Sequence, residues 1–189
     1  MTKDYYNKNA KEYIKNTANL DMRFVYKEFL KTVAHGGKIL DIGFGSGRDS
    51  LYFEQNYEVI SIDNSISFVN EGKKKLKGEV LLLDSRDINY DSVFDGIFAS
   101  ASLLHLKKTE LKNVFNACYK ALKPSSTMYV SFKEGNFEGE VAGRYFTYLT
   151  SEVFASIIKD TGFYIRNIFY SFDKRDNNND KWMNIFLSK

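Results

Sequence analysis

One cysteine, one proline and two histidines occur among 189 residues. A lone Cys118 excludes an intrachain disulfide. With His35 and His105 as its only imidazoles, the chain is not expected to hold a metal of the Cys/His zinc type. No apolar run approaches the ~18 residues that a membrane span needs. The opening Met1-Thr2-Lys3-Asp4-Tyr5-Tyr6 has no apolar signal core, so the expected setting is the reducing cytoplasm, with no membrane partner. Charge of one sign is also scarce. The 27 basic and 24 acidic residues leave a net +3, too even to indicate nucleic acid. There is no internal repeat, no low-complexity tract and no linker, so residues 1–189 read as one domain.

What is abundant is aromatic: 16 Phe and 13 Tyr. A chain of this length buries about 70% of its unfolded surface, enough for a core without staples. Short apolar runs recur at 38–42, 57–63, 80–84, 94–99 and 128–132. Several are apolar on both faces, as strands buried in a parallel sheet are. Helix-like segments separate them at 49–55, 65–76, 107–122 and 151–160, with Ser65 and Ser151 as N-caps and Gly162 as a stop. Leu111, Val114, Phe115, Cys118 and Leu122 form one stripe, which makes Cys118 a core residue. This alternation predicts a doubly wound α/β sheet with right-handed crossovers. Two further strands, 163–172 and 182–187, flank a polar stretch, 173–181, that reads as a solvated hairpin; the last strand then runs antiparallel. That makes seven strands. Two helices, 4–18 and 21–34, precede the first strand and are expected to cap one end of the sheet.

The most specific signal is Asp41-Ile42-Gly43-Phe44-Gly45-Ser46-Gly47, which follows a strand and opens a helix. Glycines there let the backbone turn tightly against a ligand, and the helix N-terminus offers free N–H groups. Asp63 ends the second strand, placed to accept from both hydroxyls of a ribose. The pattern departs from the dinucleotide fingerprint, because Arg48 stands where the third glycine is required. It is no P-loop either, since Arg48-Asp49 replaces Lys-Ser/Thr. Asp41 would repel a pyrophosphate and favour an ammonium group. The ligand reads as a nucleoside without phosphate.

Asp41 to Gly47 with Asp63 resembles motif I and the acidic loop of the class I S-adenosylmethionine-dependent methyltransferases. Gly45-Ser46-Gly47-Arg48-Asp49-Ser50-Leu51-Tyr52 is similar to small bacterial members, including the tellurite-resistance branch. Ala101-Ser102-Leu103-Leu104-His105-Leu106 resembles the segment after strand four in many of them. The resemblance implies a Rossmann-like seven-stranded sheet of order 3-2-1-4-5-7-6 with strand seven antiparallel. Residues 1–35 then form a helical lid and 36–189 the core. It also implies S-adenosylmethionine as cofactor and S-adenosylhomocysteine as product.

Carried onto matching positions, the family pattern runs Gly43, Gly45 and Gly47 beneath the methionine part and ribose. Asp41 holds the ammonium and Asp63 the ribose hydroxyls, with Asn64 beside the adenine. Asp84 takes the adenine amino group, in competition with Asp87, and the Ser85 N–H faces a ring nitrogen. Ala99 and Ser100 lie near the sulfonium. Tyr5, Tyr6 and Tyr13 read either as lid residues or as ordinary helix residues. Arg48 either binds the methionine carboxylate or sits on the surface.

The acceptor side is less defined. Residues 133–148 make a long connection rich in glycine and aromatics, of the kind that shapes substrate pockets. Arg144 either binds an anionic acceptor or ties this loop down, and Tyr145 stacks on the acceptor or closes the site. His105 is either a general base or the residue that orients the next helix. His35, at a helix end, reads as a dipole partner. The expected chemistry is in-line methyl transfer to a small-molecule acceptor, by a monomer or homodimer. A non-catalytic cofactor-binding module and an RNA methyltransferase are the alternatives.

Overall fold

A computed structural model describes residues 2–173 and 180–189. Six helices and nine strands occur in it. The helices are α1 (Thr2–Thr17), α2 (Arg23–Leu30), α3 (Arg48–Phe53), α4 (Ile66–Lys75), α5 (Lys108–Ala121) and α6 (Ser151–Ile158). The strands are β1 (Lys38–Ile42), β2 (Glu58–Asp63), β3 (Glu79–Leu82), β4 (Phe94–Ala99), β5 (Leu122–Lys133), β6 (Glu138–Val141), β7 (Arg144–Thr147), β8 (Tyr164–Phe172) and β9 (Lys181–Ser188). Seven strands form one sheet in the order β3-β2-β1-β4-β5-β9-β8. The first five are parallel, and β9 runs antiparallel to both its neighbours. This is the expected topology once the separate β6–β7 hairpin is set aside.

The sheet is buried on both faces because successive side chains of each strand alternate sides. Ile39, Val59, Phe98, Tyr129 and Phe186 point one way, onto Val25, Tyr26 and Phe29 of α2 and Phe53 of α3. Leu40, Ile60, Ile97, Met128 and Ile185 point the other way, onto Leu111, Phe115 and Cys118 of α5 and Phe154 of α6. Cys118 is fully buried in that core. A third cluster joins Ala10 of α1 to Phe68 and Val69 of α4, with Phe44 of the glycine turn beneath. So α2 covers a sheet face, while α1 lies against α4 beside the glycine turn.

Several boundaries differ from expectation for local reasons. The cap of α6 is Thr150, whose hydroxyl accepts from the Val153 N–H, and Ser151 becomes the first helical residue. Ser65 caps α4 as expected, accepting from the Phe68 N–H. The 133–148 connection is not an open loop. Gly143, at φ +76°, turns β6 back onto β7, which pairs Val141 with Arg144. The solvated turn expected at 173–181 lies largely outside the described residues. Among those that are described, no helix is long and apolar enough to cross a membrane.

Phe98 is fully buried among Phe29, Phe53 and Tyr129 at the centre of one face. Phe98→Ala is expected to cost about 3–5 kcal/mol of unfolding free energy, read from the midpoint of a urea titration.

Candidate functional site

The carboxyl ends of β1, β2, β3 and β4 bring the chemistry-bearing residues together. Gly43 and Phe44 both donate their N–H to the Ile62 carbonyl, 2.7 and 3.3 Å, so the turn leaving β1 is stitched to the end of β2. Gly43, Gly45 and Gly47 adopt φ of +69°, +49° and +75°. At Gly43 the close approach is as restrictive as the angle: a Cβ there would sit 2.4 Å from the Ser102 Cβ. Gly47 then starts α3 in the left-handed conformation.

Asp63 ends β2 almost wholly buried. Its carboxylate accepts from the Gly45 N–H at 3.1 Å and from the Ser65 N–H at 2.8 Å. Burial raises its pKa to about 6 against these backbone donors, which pull it down. Each oxygen keeps a second acceptor direction. Asn64 donates from Nδ2 to Asp84 Oδ2 at 3.2 Å. Burial pushes Asp84 up, but Arg86, gripping both its oxygens at 2.8 Å, wins and holds it near about 2. Asp87 lies nearby but is exposed. Asp63, Asn64, Asp84 and Ser85 line one side of an outer cavity of about 660 Å³, with Gly43 and Gly45 along its floor.

Asp41 and Gly47 line neither cavity described here. Asp41 is buried beneath the turn, where it accepts from the Ser50 hydroxyl at 2.6 Å; Ser50 and Ser61 lie 2.8 Å apart. Burial and the neighbouring Asp49 both raise its pKa. Arg48 is neither a surface residue nor unengaged. It grips Asp49 through two 2.8 Å hydrogen bonds, while Asp49 also accepts from the Tyr26 hydroxyl.

An inner cavity of about 250 Å³ adjoins the outer one. Tyr6, Tyr13, Ala101 and His105 border both. The inner cavity is further lined by Ser100, Arg48, Lys133, Arg144, Phe146 and Trp182. Lys133 is neutralised by Asp180 at 2.5 Å and surrounded by the rings of Phe146, Tyr148 and Trp182. Arg144 lies between the rings of Tyr5 and Phe146, and its buried Nε has no hydrogen-bond partner. Among the described residues no carboxylate pairs with it. Tyr145 turns its hydroxyl to Glu138 at 2.9 Å, at the outer cavity rather than the inner one.

His105 sits at the junction. Its Nδ1 is 2.7 Å from the Tyr145 carbonyl, which can only accept, so Nδ1 carries the proton. Nε2 is therefore an acceptor, and the Tyr6 hydroxyl donates to it at 2.7 Å. Burial, with Arg144 and Lys133 nearby, lowers the His105 pKa to about 4, so the ring is neutral at physiological pH. Burial raises the Tyr6 pKa and keeps it a phenol. The Tyr6–His105 pair was not foreseeable: 99 residues separate the partners, and no spacing rule links them. Ser102 was missed too, although its buried Oγ, without a partner, lies against Gly43. His35 is far from this constellation, beside Tyr57.

Residues 39–125 match the family model described as a methyltransferase domain. The chain is 29% identical over 141 residues to phosphoethanolamine N-methyltransferase of Plasmodium falciparum, a match covering 67% of this chain and 53% of that one. It is 35% identical over 83 residues to the probable S-adenosyl-L-methionine-dependent methyltransferase TehB of Haemophilus influenzae, covering 41% of this chain and 29% of that protein. The chain thus spans about half, or less, of these relatives' length. In fold it resembles the 1,6-didemethyltoxoflavin-N1-methyltransferase of Burkholderia thailandensis, solved with bound 1,6-didemethyltoxoflavin and S-adenosylhomocysteine. The TM-score is 0.79 at 16% identity, over 99% of this chain and 86% of that one.

Gly43→Ala combines a positive φ with the Ser102 clash. It is expected to lower the unfolding free energy by about 1–3 kcal/mol in a denaturant titration.

Proposed function

We propose that this chain, which carries a methyltransferase domain and is similar to S-adenosylmethionine-dependent methyltransferases, methylates a small-molecule acceptor held in the inner cavity. The observation carrying this reading is the meeting of two cavities at Tyr6, Ala101 and His105. A site with room for a nucleoside opens there onto a smaller one with its own polar anchors.

The outer cavity suits the cofactor. The glycine floor has no Cβ to obstruct close approach, and Asp63 faces it with acceptor capacity to spare. In this reading Asp63 holds the ribose hydroxyls. Asp84, kept ionised by Arg86, takes the adenine amino group, with Asn64 and Ser85 beside the ring. Tyr13, whose ring lies over Gly45, closes the glycine side. Ser100 lies near the sulfonium. Asp41, hydrogen-bonded to Ser50 beneath the turn, acts on the methionine end only by supporting the turn. Arg48, held by Asp49, lines the inner cavity. When bound, the cofactor supplies an activated methyl group.

The chain's own contribution is alignment, exclusion of water and management of a proton. Tyr6 stands between the cavities with its hydroxyl already donated to His105 Nε2. A proton leaving an amine or hydroxyl acceptor passes to the Tyr6 oxygen as the Tyr6 proton moves to Nε2. The two cations that depress His105, Arg144 and Lys133, work against that step. An anion on Arg144 offsets one of them. A compact acceptor bearing an anionic group and an amine therefore fits best, and phosphoethanolamine, named for the relatives, is the first such compound to try.

Charges at the outer mouth alternate rather than forming a basic tract. Lys3, Arg86 and Lys107 stand there with Asp87, Glu110 and Glu140. This favours a small acceptor over RNA. Cofactor binding without turnover across a broad acceptor panel would instead support a cofactor-binding module. In the same picture the chain forms one domain, with residues 1–35 as its lid.

Calorimetry with S-adenosylmethionine and S-adenosylhomocysteine tests the cofactor assignment, and saturable binding is expected. Asp63→Ala should weaken it by about 2 kcal/mol, because hydrogen bonds to a charged acceptor are lost. Binding requires the ionised carboxylate, so wild-type affinity should fall as pH drops below about 6, where Asp63 protonates. Unchanged affinity in Asp63→Ala would refute the assignment. For the acceptor, Arg144→Met should raise KM about tenfold or more while leaving the cofactor Kd unchanged, read in initial-rate kinetics and calorimetry.

A further inference from the structure

The last turn of α4 carries three consecutive lysines, and they do different things. Lys73 and Lys74 are exposed, and Lys74 pairs with Glu71 at 2.6 Å. Both complement the carbonyl end of the helix. Lys75 is half-buried and folds beneath the glycine turn, where its ammonium donates to the Ser46 carbonyl. Its stem lies so close that a Cβ on Gly47 would sit 3.0 Å from Lys75 Cε.

The peptide bond held in this way is Ser46–Gly47. Its carbonyl accepts from Lys75, and its N–H, on the opposite edge, donates to the Phe44 carbonyl at 2.8 Å. Ser46 lies between glycines at φ +49° and +75°. Gly47 makes rotation of this peptide plane inexpensive, because positive and negative φ are nearly equivalent for glycine. Sequence alone leaves that plane free to flip. Two peptides earlier in the same turn, the Gly45 N–H reaches Asp63.

We propose that Lys75 is a positioning residue for the cofactor: it locks the Ser46–Gly47 peptide in the orientation that presents the glycine turn to the ligand. The inference rests on the cofactor reading of the outer cavity. Lys75 lines neither cavity, so it acts through the turn and not by contact. Without it the turn populates other orientations, and apparent affinity falls in proportion to the competent fraction.

The test compares Lys75→Met with Lys75→Arg, which keeps a charged donor. S-adenosylhomocysteine binding is measured by calorimetry, and exchange of the Gly47 amide by hydrogen–deuterium exchange. Lys75→Met is expected to raise Kd about tenfold, close to 1.4 kcal/mol, and to speed Gly47 exchange. Lys75→Arg is expected to stay within about threefold of wild type. With an acceptor at hand, its KM at saturating cofactor should not change. Wild-type affinity and Gly47 protection in Lys75→Met would overturn the proposal, as would equal losses in both variants. A wild-type protein that binds no S-adenosylhomocysteine would instead overturn the cofactor reading. A Lys75→Met protein whose ligand-free melting temperature drops while Kd holds would reduce Lys75 to a stabilising contact.

Discussion

The site is organised by the hydrogen bonding of one buried carboxylate. Asp63 has little access to water, and a carboxylate so placed must be supplied with donors or give up its charge. Two backbone N–H groups from different segments supply it: Gly45 on the turn after β1, and Ser65 at the cap of α4. That requirement fixes the glycine turn relative to the end of β2. It leaves the carboxylate only partly satisfied, with its pKa at about 6. The unfilled acceptor capacity is what a ligand's hydroxyls can complete.

A second constraint joins the two cavities. His105 accepts from a helix that lies before the first strand and donates to a hairpin that lies after the fifth. Thr2 adds to the same strap, its hydroxyl accepting from the Tyr145 N–H at 2.8 Å. α1 and the β6–β7 hairpin are thereby held over the carboxyl edge of the sheet. Open α/β sheets place ligands at this edge, where strand order reverses between β1 and β4. The covering elements divide the space into an outer and an inner compartment, with an unprotonated imidazole nitrogen and a phenol at the boundary.

Charge is distributed unevenly between these compartments. Arg48 and Lys133 border the inner one but are matched by Asp49 and Asp180. Arg144 lies between aromatic faces and beside the Tyr6 hydroxyl, which attract a cation without neutralising it. A cation in that condition keeps its field for whatever enters the cavity. The same field adds to the burial that keeps His105 neutral, so the anchoring of an anion and the basicity of the imidazole are coupled.

The amino-acid sequence by itself determined the seven strands of the sheet and the two features that matter most at its edge, while the strand order came through the resemblance to a known family. Buried strands read as apolar runs, glycines at positive φ as a glycine cluster, and Asp63 as an acid at a strand end, because each is a local requirement of the backbone. Tertiary structure decided what those residues touch. It put Asp41 under the turn with Ser50, paired Arg48 with its own neighbour, curled 133–148 into a hairpin, and half-buried Asp84 while leaving Asp87 exposed. It also brought Tyr6 to His105. These outcomes depend on which side chains from distant segments compete for the same partner, and neither periodicity nor spacing along the chain encodes that competition.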